Sequence, residues 1–211
     1  MQLVQDLEAT QAELEALEAP EQLRWAHDHF GRGFAVTTSF GTQSAVLLHL
    51  LVGVAPDVPV YWIDTGYLFP ETYQYAADLT QRLKLNLKVV QPELSPARME
   101  ALLGRLWESE NPDDLVTYHR LRKVEPLDQA LDAAEVSCWA SGVRRGQTDH
   151  RRSMTALDPI RERWSLRPLL EWTQRDIYYY MQSNNLPQHP LFEQGYSTVG
   201  DWHSSGPDVG D

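Results

Sequence analysis

Gly33-Phe-Ala-Val-Thr-Thr-Ser-Phe-Gly-Thr-Gln-Ser-Ala-Val-Leu-Leu-His-Leu-Leu51 is the stretch whose reading decides the fold class. Its first six residues form an apolar, β-branched run that suits a buried strand. A small polar turn follows, and Ser44 to Leu51 is apolar over a helical length. The same alternation continues downstream, with Val58 to Asp64 as a strand and Pro70 to Lys84 as a helix with proline at its start. Leu85 to Val90 reads as a strand and Pro96 to about Trp107 as a helix. Val136 to Ser141 and Arg161 to Leu166 are further strands, and Gln174 to Gln182 is a helix. Strands that alternate with helices imply right-handed crossovers: an α/β fold in three layers, a mostly parallel twisted sheet with helices on both faces. Ligands bind such sheets beyond the carboxyl ends of the strands.

Upstream, Leu3, Leu7, Leu14 and Leu17 share one helical stripe, Pro20 interrupts it, and Leu23, Ala26 and Phe30 continue a second short helix. No linker or repeat divides the chain, so residues 1–211 read as one domain with 1–30 as its N-terminal helices. The formal net charge of −12 argues against a generic nucleic-acid or anionic-membrane binder. Residues 119–167 depart from that balance, with ten basic residues against seven acidic, so anion binding maps there. The one cysteine, Cys138, allows no internal disulfide, and this chain alone cannot supply a four-cysteine metal site. With no long apolar run and an acidic N-terminus, a cytoplasmic protein is the expectation.

Three loops could carry chemistry. Ser39-Phe40-Gly41-Thr42-Gln43-Ser44 sits between a strand and a helix, where backbone amides and the helix dipole suit a phosphate or sulfate. Ser39 or Thr42 serving only as a helix cap is an equal reading of the hexapeptide. Asp64-Thr65-Gly66 would lie beside it, with Gly66 allowing close backbone approach, or with Asp64 or Thr65 merely organising a turn. The basic set Arg120, Arg122, Lys123, Arg144, Arg145, Arg151 and Arg152 could meet the same rim, although a solvated loop suits Arg151 and Arg152 equally. His119, His189 and His203 lack metal-ligand spacing, so hydrogen bonding in the core or loops is their expected role. Cys138 lies mid-strand and reads as a structural thiol.

These motifs also occur together in a known order. Ser-Phe-Gly-Thr-Gln-Ser (39–44), Asp-Thr-Gly-Tyr-Leu-Phe-Pro-Glu-Thr (64–72), Lys-Leu-Asn-Leu-Lys-Val (84–89), Lys-Val-Glu-Pro-Leu (123–127), Gly-Val-Arg-Arg-Gly-Gln (142–147) and His-Pro-Leu-Phe-Glu-Gln-Gly-Tyr (189–196) resemble the 3′-phosphoadenylyl sulfate (PAPS) and adenylyl sulfate reductases. That family is a branch of the adenine-nucleotide α-hydrolase-like fold, and the likeness spans about residues 30–205. Its first loop resembles the pyrophosphate loop of ATP pyrophosphatases, with Gln43 where those enzymes usually carry Asp, which disfavours an adenylating enzyme.

The resemblance implies that the phosphosulfate sits on Ser39, Phe40, Gly41, Thr42, Gln43 and Ser44 and the adenosine near Asp64, Thr65 and Gly66. Lys123, Arg144 and Arg145 would counter the charge. The cluster ligands of the adenylyl sulfate branch are missing, so it implies no iron–sulfur cluster, no metal, and thioredoxin or glutaredoxin as reductant in assimilatory sulfate reduction. It also implies a homodimer, with no nucleic acid or membrane as partner. The family's nucleophile belongs to a C-terminal Glu-Cys-Gly-Leu-His segment that these 211 residues do not contain, so no catalytic residue is expected within them. A non-catalytic adenine-nucleotide-binding protein is the alternative.

Overall fold

The computed structural model describes residues 6–208. Leu3 of the N-terminal stripe and residues 209–211 lie outside the described residues. Helices α1 (Leu7–Glu15) and α2 (Ala19–Phe30) precede strand β1 (Phe34–Thr38). Then come α3 (Ser44–Val54), β2 (Pro59–Ile63), α4 (Pro70–Leu83), β3 (Asn86–Val90) and α5 (Pro96–Leu103). Helices α6 (Pro112–His119) and α7 (Glu125–Ala133) are joined by a π-helical turn over Arg120–Val124. Strands β4 (Cys138–Ala140), β5 (Leu157–Ile160) and β6 (Arg163–Leu166) and helix α8 (Gln174–Ser183) complete the order.

The six strands form one sheet in the order β3-β2-β1-β4-β6-β5, parallel except for β5. Side chains alternate across it with the period of a strand. Phe34 and Val36 of β1, Val60 and Trp62 of β2, and Cys138 and Ala140 of β4 join the larger core, which also contains Leu48 and Leu51 of α3 and Leu79 of α4. Ala35, Tyr61 and Trp139 point the other way and pack with Leu131 of α7. Both faces are covered, giving the three-layer α/β architecture expected.

The departures from the expected elements have local causes. Helix α5 stops at Leu103 because Gly104 adopts φ +75°, and a short 3₁₀ turn over Leu106–Glu108 replaces its last part. The helical stretch over 112–133 is legible only as Asn111-Pro112, an N-cap whose side-chain oxygen accepts from the Asp113 amide at 3.1 Å. Its interior holds Pro126, which has no N–H for the carbonyl of Arg122 and crowds it. The chain accommodates the proline by widening to π spacing immediately before it. Strand β5 contains Pro159, tolerated because β5 is the edge strand and pairs on one side only. Arg161 and Glu162, expected to begin a strand, form the two-residue hairpin between β5 and β6 with φ +47° and +64°.

Candidate active site

Strand β1 is central. The chain builds outward from it to β2 and β3, then returns to add β4 and β6 on its other side. At that switch the loops following β1, β2, β4 and β6 leave the same edge and open a crevice. It is a cavity of about 1390 Å³. Ser39, Gly41, Thr42, Gln43, Ser44, Thr65, Lys123, Arg144 and Arg145 all line it, so the sheet topology brings together the three loops singled out from the sequence.

Phe40, Asp64 and Gly66 do not line the cavity. Phe40 takes φ +49° and turns into the core, its ring edge-on to Trp62 at 5.0 Å between centroids. Asp64 accepts from the Gly66 amide at 2.9 Å, the Tyr73 hydroxyl at 2.6 Å and the Gln91 amide at 3.0 Å, so it organises its loop and pins two neighbours. Gly66 adopts φ +76°, and a Cβ there would stand 2.5 Å from Cγ of Pro96. The close approach it permits is to the start of α5. Gly66→Ala is expected to cost about 2 kcal/mol in urea unfolding, from left-handed strain plus a clash with a rigid ring. A change below about 0.5 kcal/mol would contradict this packing role.

The phosphate-loop candidate is open. Gln43 is the N-cap of α3 with no side-chain cap hydrogen bond, so neither Ser39 nor Thr42 serves as the cap. Of the first-turn amides, Ser44 N donates to Gly41 O at 3.1 Å and Val46 N to Gln43 O at 3.4 Å, so the turn closes on backbone and leaves the side chains of the loop uncommitted to capping. Thr42 instead donates its hydroxyl to the Ser197 carbonyl at 2.8 Å, tying the loop to the segment that follows Tyr196.

The basic set divides by partner. Arg122 is buried and clamps backbone carbonyls, donating from Nε to Thr65 O at 3.0 Å and from its other nitrogens to Thr65 O and Leu94 O. Arg120 pairs with Glu125 in the open. Among the arginines lining the cavity, Arg145 pairs with Glu171 at 2.5 Å, Arg152 with Asp149 at 2.8 Å and Arg161 with Asp128 at 2.8 Å. Arg144 differs from these. It is 5% exposed, has no carboxylate partner among the described residues, and donates to the Gln43 side-chain oxygen and to the Trp172 carbonyl at 3.5 Å. Burial first, and then the neighbouring Arg151, push its pKa below the ordinary guanidinium value. A buried cation facing a cavity beside a like charge favours an anion at that wall.

The remaining candidates are structural. His189 is buried. Its Nδ1 accepts from the Leu191 amide at 3.2 Å, which leaves Nε2–H to donate to the Thr72 hydroxyl at 3.1 Å. His203 stacks on Trp107 at 4.2 Å and meets the Tyr118 hydroxyl at 2.9 Å. Cys138 is wholly buried in β4, and burial pushes its thiol well above the ordinary range, so it is held as an inert thiol. Asp201, which local sequence does not single out, is a buried member of the cavity wall. No helix among the described residues is long and apolar enough to cross a membrane.

Known proteins resemble this chain in sequence and fold. Residues 33–207 match the family model for the phosphoadenosine phosphosulfate reductase domain. A phosphoadenosine 5′-phosphosulfate reductase of Synechococcus sp. is 56% identical over 97% of this chain and 88% of its own length. One from Synechocystis sp. is 49% identical over 96% of this chain and 81% of its own. The crystal structure of phosphoadenylyl-sulfate (PAPS) reductase from Candida auris, a phosphate complex, superposes with a TM-score of 0.85 at 29% identity, covering 98% of this chain and 99% of that one. An FMN adenylyltransferase from Candida glabrata shares the fold alone, with a TM-score of 0.60 at 15% identity over 98% of this chain and 69% of that one. With residues 33–207 inside the family model and identities of 49% and 56% to such relatives over nearly the whole chain, the chain belongs to the phosphoadenosine phosphosulfate reductase domain family.

Proposed function

We propose that the cavity binds 3′-phosphoadenylyl sulfate and that the protein serves its reduction to sulfite and adenosine 3′,5′-bisphosphate, with thioredoxin or glutaredoxin as the dithiol donor. The observation that carries this reading is Arg144, a buried guanidinium without a carboxylate partner among the described residues, beside an uncapped helix start. The phosphosulfate would lie against the Ser39–Ser44 loop, and Lys123, Arg144 and Arg145 would balance its charge and that of the 3′-phosphate. The same cations would stabilise charge gathering on the departing phosphate.

The reaction follows from thiol chemistry. A thiolate attacks the sulfate sulfur, the bond from sulfur to the bridging oxygen breaks, and its electron pair leaves with the 5′-phosphate. One thiolate of a dithiol then attacks the cysteine sulfur of the S-sulfocysteine, and sulfite departs with the bonding pair. The second thiol resolves the resulting mixed disulfide, releasing the enzyme thiol and leaving the dithiol oxidised to a disulfide. The attacking thiolate is not Cys138, which is buried in mid-sheet. The reading includes no iron–sulfur cluster, since one cysteine cannot hold one. Assignment to the cytoplasm and to a homodimer belongs to the same proposal.

Equilibrium dialysis with sulfur-labelled 3′-phosphoadenylyl sulfate tests it. Retention that adenosine 3′,5′-bisphosphate displaces is expected, and no retention would contradict it. Cys138→Ser is expected to leave both retention and any thioredoxin-dependent sulfite release unchanged, and lost release in that variant would make Cys138 the nucleophile. The non-catalytic nucleotide-binding reading has its own support, the burial of this one thiol. It requires retention of nucleotide with no sulfite release.

A further inference from the structure

Asp201 has a wholly buried side chain in the cavity wall. Three donors from separate parts of the chain converge on it: the Thr65 hydroxyl at 2.5 Å, the Tyr118 hydroxyl at 2.9 Å and the Lys123 ammonium at 2.8 Å. These come from the loop after β2, the end of α6 and the π turn. Asp201 itself belongs to the segment that Thr42 holds through Ser197 and that pairs with the β2 loop, Trp202 N donating to Tyr67 O at 2.8 Å.

Stability alone does not account for such a group. Burying a carboxylate is costly, and apolar packing could fasten the segment equally well. Lys123 is the partner with more to do. Its side chain is 37% exposed and lines the cavity. A free lysine would wander over its four rotatable bonds, whereas the ion pair fixes its nitrogen at the wall. Of the ammonium's three N–H groups, Asp201 occupies one and leaves two for a ligand. The hydrogen bonds from Thr65 and Tyr118 hold both carboxylate oxygens and so fix the orientation in which Asp201 meets Lys123.

We propose that Asp201 is a positioning residue for the anion site, holding the Lys123 ammonium in place so that a phosphate of the bound nucleotide meets a pre-oriented donor. This rests on the nucleotide reading above. Calorimetric titration of adenosine 3′,5′-bisphosphate into the 211-residue chain and its variants tests it. Asp201→Asn is expected to weaken binding about tenfold, as is Lys123→Met, since each removes a charge-assisted hydrogen bond or the group that orients it. The double variant is expected to bind no more weakly than Lys123→Met alone, because Asp201 acts through Lys123. Tyr118→Phe, which takes one bond from Asp201 but spares the ion pair, should bind within about twofold of the parent.

Additive losses in the double variant, or an Asp201→Asn protein that binds as tightly as the parent or more tightly, would overturn the proposal. So would a tenfold loss in Tyr118→Phe, which would make Asp201 a general fastener of the wall. A parent chain that binds no nucleotide overturns the functional reading and this inference together. A binding parent with an unaffected Asp201 variant overturns this inference alone. Should Asp201→Asn fail to melt cooperatively, Asp201→Ser, which leaves space for water, takes its place with the same expectations.

Discussion

Arg144→Met is expected to weaken binding of adenosine 3′,5′-bisphosphate about a hundredfold while leaving the ligand-free protein at least as stable as the parent. The two signs have one cause. Arg144 carries a charge in a nearly closed environment without a carboxylate beside it among the described residues, and Arg151 adds repulsion. Removing an uncompensated buried cation and filling the space with an apolar side chain is commonly neutral or favourable. The same removal deprives the ligand of its most desolvated partner. Hydrogen bonds to charged groups contribute about 1.5–3 kcal/mol each, and a forked guanidinium can make two. Calorimetry and urea unfolding read the two halves separately. A destabilised variant that still binds at parental strength would make Arg144 a packing residue and remove the main support for the site.

Gln43→Glu is the second large effect, also about a hundredfold loss of bisphosphate affinity, accompanied by a rise in the thermal midpoint. A guanidinium only donates, so the oxygen of the Gln43 amide faces Arg144 and its NH₂ is left to donate elsewhere. A glutamate there would satisfy Arg144 internally. The cation would gain a counter-charge, which accounts for the stabilisation, and the cavity would lose one positive charge and gain a negative oxygen. Tighter or unchanged binding in this variant would show that the anion sits elsewhere. Gln43 therefore marks where a neutral amide, by accepting from one arginine, keeps that arginine's charge available to the ligand.

The middle of the parallel sheet could be read from the chain because β1, β2 and β4 are buried on both faces and apolar nearly throughout, as in Phe34-Ala-Val and Val60-Tyr-Trp. The edge strand β3 is read instead from its alternation of Leu87 and Val89 with Asn86 and Lys88. Prolines obscured the remainder. Pro126 reads as a breaker, yet the helical stretch passes through it by adopting π spacing, and Pro159 reads against a strand that exists because it is at the edge. The site was legible as loops at strand ends, where topology alone makes distant residues neighbours. What local sequence does not carry is the direction of a side chain. Phe40 sits within the phosphate-loop motif but faces the core, and Asp64 spends its oxygens on Gly66, Tyr73 and Gln91. Nor does it carry pairing at long range. Lys123 and Asp201 are far apart in the chain, and Arg145 and Arg144 are adjacent, yet of these two arginines only Arg145 has a carboxylate in reach among the described residues.

The central claim is that this crevice is a site for a doubly phosphorylated adenine nucleotide, held mainly by charge. Calorimetric titration of the unaltered chain with adenosine 3′,5′-bisphosphate and with adenosine, each at low and high salt, tests it most directly. Saturable binding of the bisphosphate, at least about a hundredfold tighter than adenosine and weakened by salt, is the expected result. Equal affinity for the two ligands, or no heat from either, would contradict the claim.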